Sequence, residues 1–231
     1  MTAKDAHAAL VDAVSDLVKK SGEKYIVETE SAASLLLCWC AHLRESHSKN
    51  VCDELIDGVV GSVQEVAVSL SLGLVRSAIF SLRSQIELML AWIYYNDHAV
   101  EWASVQRHPS KFQMRSTFIT YFKNNSDKFE KRLVQLDTQA GRGKDEDLYA
   151  ILSTHVHSTS IAATPKIEPL QNLIRSSDKC DQCVEMQQAV SEYLSDVMIS
   201  WNAQHWHDLP GAIKSNIQDR FDSAGLKSLL T

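Results

Sequence analysis

Glycine and proline are scarce: among 231 residues there are 8 glycines and 4 prolines. Turn-rich sheet folds need more of both. Long apolar-periodic runs fill the space between them, which predicts an all-α fold, a multi-helix bundle. The chain also lacks an uncharged apolar run of about 18 residues, so no membrane-spanning helix and no membrane partner are expected. The nearest approach, residues 72–95, is interrupted by Arg76, Arg83 and Glu87. Residues 1–7 read straight into an amphipathic helix rather than a signal peptide. Five cysteines are an odd number with no secreted-scaffold spacing, which points to reduced thiols in a cytoplasmic protein. A net charge of −6 does not indicate a broad basic surface for nucleic acid and leaves room for a local basic patch.

Familiar site motifs are missing too. Cys180-Asp-Gln-Cys183 stands alone, whereas a structural zinc site needs four ligands. His205 and His207 lie roughly 35 Å away along the same predicted helix, too far to complete such a site. No metal and no cofactor is therefore expected. Gly141-Arg-Gly-Lys144 lacks the phosphate-loop pattern and reads as a solvated turn, with Arg142 and Lys144 open to a ligand nearby. The five tryptophans recur at helical spacing, as core residues do.

What is present is helix after helix. Residues 2–20 form the first, with Thr2 as N-cap. Ser21-Gly22 ends it, and residues 23–30 read as a connection. Ser31 opens a second helix that ends near 48–50. A third starts near Cys52 and runs to Tyr95, with Gly61 and Gly73 placed to split or kink it. Asp97 is positioned to cap a short helix to Val105, which His108-Pro109 breaks. Helices over 110–123, 127–138 and 144–157 follow. An irregular stretch holds Pro165 and Pro169, a long helix spans 178–207, and one or two short helices end the chain. One helical domain covers 1–231: N-terminal helices over 1–60, a core over 62–160 and C-terminal helices over 170–231.

Two helices carry the chemistry. At about 100° per residue, Arg76, Phe80, Arg83, Glu87 and Tyr94 form one stripe, with Val75, Ile79, Leu82, Ile86, Met89 and Ile93 a quarter turn away. Charges on a deep helix need partners. Arg83 and Glu87 are either an i, i+4 packing seam or, with Arg76, part of an anion site. The second helix places Tyr149, Ser153 and His157 on one face, with His155 nearly opposite. Ser153 and His157 come within hydrogen-bond reach, yet no nucleophile elbow surrounds Ser153. This face is either a hydrogen-bonded helix end or a set that meets the Arg/Glu stripe.

The segment Arg76-Ser-Ala-Ile-Phe-Ser-Leu-Arg-Ser-Gln-Ile-Glu87, followed by Trp92-Ile-Tyr-Tyr95, is similar to the "RS…E…Y" helix of a bacterial all-helical family. Leu148-Tyr-Ala-Ile-Leu-Ser-Thr-His-Val-His157 resembles that family's "LY..LS..VH" helix. The family is related to HEPN-type domains, often dimeric, several of them ribonucleases in toxin and phage-defence systems. The resemblance spans about residues 66–159. It implies a HEPN-like core, a homodimer and a nucleotide or RNA ligand. The catalytic pattern of that class, Arg-x4-6-His, is absent: none of the nine arginines has a histidine five to seven residues downstream.

Three readings follow. In the first, the protein binds a nucleotide, small anion or protein partner through Arg76, Arg83, Tyr149 and Ser153, with Glu87 orienting and His157 donating. The second is a metal-independent ribonuclease that uses His157, Arg83 and Glu87. The third is a structural or interaction module without a site.

Overall fold

The structure, a computed structural model, describes residues 2–46, 51–142, 147–160 and 163–231. It is all-α. In chain order the helices are α1 (Ala3–Leu17), α2 (Glu23–Ala32), α3 (Ser34–Ser46), α4 (Asp53–Ser71), α5 (Val75–Asp97) and α6 (Ala99–Arg107). Then come α7 (Arg115–Asn125), α8 (Phe129–Gln139), α9 (Leu148–His157), α10 (Ser177–Asn202), α11 (Gly211–Gln218) and α12 (Ser223–Leu230). Among the described residues no helix is long and apolar enough to cross a membrane.

Thr2 caps α1 as its sequence requires. Its hydroxyl accepts from the Asp5 amide, and the Asp5 carboxylate accepts from the Thr2 amide at 2.9 Å, a reciprocal capping box. The chain does not then leave the helix. Residues Val18–Gly22 form a π-helical turn that runs into α2, so the connection expected over 23–30 is helical. Gly22 keeps right-handed helical dihedrals and is buried; a Cβ there would lie 3.4 Å from Val18 and 3.8 Å from Ser71. It continues the helix rather than ending it. Tyr25 and Thr29, one turn apart and both fully buried, anchor α2.

The chain breaks at Gly73, whose φ of +74° suits glycine, whereas Gly61 sits inside α4 with open space around it. Asp97 closes α5 instead of capping α6. His98 takes the N-cap position, and the Asp97 carboxylate accepts from the Tyr121 hydroxyl at 3.0 Å. The helix expected over 178–207 is α-helical only to Asn202, then a tighter 3₁₀ segment over Ala203–Asp208. The end of the second helix at 48–50, and the start of the 144–157 helix with Gly143 and Lys144, lie outside the described residues.

Contacts divide the chain into two compact units, each assembled from three segments. The first comprises Met1–Ser34, Gly61–Gln85 and Asp147–Val190. Its core includes Tyr25, Val66, Leu70, Ile79, Leu82 and Leu152. Within it, Gln85 and Gln187 are fully buried and exchange two amide hydrogen bonds of 2.8 Å, so both polar groups are satisfied.

The second unit comprises Leu35–Val60, Ile86–Glu146 and Ser191–Thr231. Ser191 accepts from the Leu36 amide and Ser195 from the Trp39 indole, both at 2.9 Å, which fixes α3 against α10. An aromatic cluster of Tyr94, Tyr95, Phe118, Phe122, Phe129 and Trp201 fills much of its interior. Asp196, with no exposed surface, receives Arg220 at 2.5 Å and Arg142, which also donates to Asp137 at 2.9 Å. Arg142 is therefore a half-buried ion-pair anchor and not the solvated, ligand-ready turn residue its sequence context implies. Its main partner lies 54 residues away in the chain.

Candidate functional site

Apolar burial aims the first residues of α5. Ala78, Ile79 and Leu82 are buried, and this seats Arg76 and Arg83 at the half-buried edge of the helix, seven residues apart, about 10 Å along its axis. Helix α9 forms the matching element. Asp147 caps it by accepting from the Tyr149 amide, and Leu152 buries its inner face. Tyr149, Ser153 and His157 then lie on one side at intervals of four.

Arg83 reaches both ends of that row. Its Nη2 donates to the Tyr149 hydroxyl at 2.9 Å, and its Nη1 lies 3.0 Å from His157 Nε2. A guanidinium only donates, so His157 must present an unprotonated Nε2 there, with the ring proton on Nδ1. The guanidinium carbon also lies 5.0 Å from the Tyr149 ring centroid, a cation–π contact. Ser153 does not join in. Its hydroxyl donates to the Tyr149 carbonyl at 2.6 Å, a back-bond within the helix, so Ser153 and His157 are not bonded to each other despite their spacing.

Arg76 is held by the turn after α9. Nη1 donates to the Ala163 carbonyl and Nη2 to the Ser158 hydroxyl, both at 2.9 Å, and its guanidinium sits over Phe80. Both acceptors are neutral, and Arg76 forms no ion pair among the described residues. Two of its five N–H donors are used. Ser158 closes α9 with φ of +52°, a left-handed conformation uncommon outside glycine, and Arg76 fixes its side chain. His155, predicted to stand apart from His157, is half-buried. Burial, then the positive charge of Arg76, lowers its pKa from the ordinary 6.5.

The structure thus joins Arg83, Tyr149 and His157 directly and places Arg76 on the same pair of elements. Glu87 lies one turn beyond Arg83 on α5, half-buried, among the residues of the second unit. Sequence reasoning missed Ser158 and the carbonyl of Ala163 as the acceptors of Arg76. Only a left-handed turn brings them there, and no periodic pattern signals one.

Cys180 and Cys183 are fully buried, and burial raises both thiols, Cys183 to about 12, so neither presents a reactive thiolate. Among the described residues no three His, Cys, Asp or Glu side chains converge as a metal would need. In comparisons with known proteins, no family model, no curated protein and no solved structure matches the chain.

Proposed function

We propose that the α5/α9 face binds a phosphate-bearing ligand of the nucleotide type, with Arg76 and Arg83 as the anion contacts and Tyr149 and His157 as polar neighbours. The observation that carries this reading is Arg76: a half-buried guanidinium with neutral partners, three spare donors and a full charge. Arg83, fixed in orientation by Tyr149 and His157, adds a second fork of the type that meets phosphate oxygens in pairs. The resemblance to HEPN-type domains, with its homodimers and its defence or toxin setting inside the cell, agrees with such a ligand.

A thermal-shift series with mono-, di- and triphosphate nucleosides tests it. Saturating ligand should raise the midpoint, by about 2–4 °C per kcal/mol of linkage in a chain of this size. Arg76→Gln and Arg83→Gln should each abolish the shift. A shift that persists unchanged in Arg83→Ala sinks the assignment to this face.

The contact between Arg83 and His157 supports a second reading, a metal-independent ribonuclease. Arg83 would turn from His157 Nε2 to the phosphoryl oxygens, and the freed Nε2 would take the proton of a ribose 2′-hydroxyl as it attacks the adjacent phosphorus. Arg83 would stabilise the phosphoryl charge. The P–O5′ bond breaks, the 5′-oxygen takes a proton from water, and a 2′,3′-cyclic phosphate remains. Purified protein should then cleave RNA without divalent cations, and His157→Ala should not. Intact total RNA after prolonged incubation with wild-type protein removes this reading.

A further inference from the structure

The second unit holds a cavity of about 230 Å³ that is lined by none of Arg76, Arg83, Tyr149 and His157. It lies between α6, the turn Pro109–Lys111 and the first turn of α7, with Tyr94 of α5 at its base. Two side chains of opposite charge line it. Glu101, in the first turn of α6, accepts from the Tyr94 hydroxyl at 2.9 Å. Burial, then this bond to Glu101, pushes the Tyr94 phenol up to about 12, so it stays a donor. Lys111 donates to the Ser104 hydroxyl at 3.1 Å.

Both partners are neutral. Neither Glu101 nor Lys111 forms an ion pair among the described residues, and they do not close on each other. Yet they stand near one another: Ser104 follows Glu101 by three residues on the same helix face, and Lys111 touches Ser104. The side chains of Gln113 and Thr117 line the same space and make no hydrogen bond to a described residue. Thr117 belongs to the first turn of α7, which begins without a side-chain cap, so the positive end of that helix adds to the Lys111 side. A cavity with one carboxylate, one ammonium and two unused polar groups complements a small molecule bearing both charges.

We propose that this cavity binds a zwitterion of the α-amino-acid class. Its ammonium meets Glu101, its carboxylate meets Lys111 and the α7 end, and a small side chain lies toward Tyr94. Size and the Glu101 carboxylate exclude a nucleotide here, so this site is independent of the α5/α9 face.

Amide-resolved NMR titration of the full chain with glycine, L-alanine and L-serine tests it, with propionate and propylamine as single-charge controls. The amides of Ser104, Lys111 and Thr117 should shift, and the amino acids should bind at least about tenfold more tightly than either control. Glu101 and Lys111 are exposed, so Glu101→Gln and Lys111→Met should keep the wild-type circular dichroism spectrum and each weaken binding about tenfold. Absence of shifts at these amides up to about 50 mM amino acid overturns the proposal. So do controls that bind equally well, or affinity unchanged in both variants.

Discussion

Arg76 and Arg83 share a helix and a charge; neutral acceptors orient Arg76, and Arg83 donates to the Tyr149 hydroxyl and lies 3.0 Å from His157 Nε2. A neighbour of theirs gives a direct pH signature. His155 titrates below 6.5 in the folded chain because burial and Arg76 disfavour its charged form. As pH falls, the unfolded chain takes the proton first. Stability is therefore full above about pH 6.5 and declines as pH drops below it. His155→Gln should flatten the decline in urea midpoint between about pH 7 and 5. An acid limb as steep as wild type in that variant shows that His155 does not cause it. Arg76 and Arg83 stood out in the sequence because they interrupt an apolar run. Arg142 did not stand out: a Gly-Arg-Gly turn looks solvated, and Asp196, 54 residues further on, decides otherwise.

At the scale of elements, Gly61 and Gly73, two of the three glycines of the long 52–95 stretch, separate cleanly. Gly73 has positive φ, and a Cβ there would meet Leu17 at 2.7 Å and Ile174 at 2.6 Å. Gly73→Ala combines left-handed strain with overpacking and should cost about 2–4 kcal/mol. A Cβ at Gly61 meets nothing within 4 Å inside α4, so Gly61→Ala should stabilise by about 0.5–1 kcal/mol. Thermal melts of the two variants should move in opposite directions; a Gly73→Ala melt at the wild-type temperature contradicts the strained turn. The sequence names both glycines as breakers and cannot rank them, because rank depends on what each Cβ would touch. Helix α2 was illegible for a related reason. Only Tyr25 and Thr29 anchor it, too few for a periodic signal, and Gly22 imitates a stop where the helix runs on.

At the scale of the whole molecule, the five cysteines report on the fold together. Cys40, Cys52, Cys180 and Cys183 are buried, and only Cys38 is half-exposed. Burial raises every one, with Cys40, Cys52 and Cys183 at about 12. The thiolate is the reacting form. Ellman's reagent at about pH 8 should titrate one thiol slowly in native protein and five in denaturant, and Cys38→Ser should silence the native signal. A fast burst of several thiols would mean that the interior opens readily.

By itself the sequence determined that the chain is helical, that a long helix ends near Tyr95 and that another begins near 178. It also determined that Arg76 and Arg83 share one stripe of a largely apolar helix and that Tyr149 and His157 share one face of another. Those properties are local: apolar period, scarcity of glycine and proline, and spacing by four. Only the tertiary structure decided which of these side chains meet. It turned Ser153 back onto its own helix, brought His157 to Arg83, gave Arg76 the turn beyond α9, and set Glu101 and Lys111 around one cavity with no ion pair among the described residues. Such pairings depend on where distant segments pack, and packing is set by the shape of the whole core rather than by any one stretch of it.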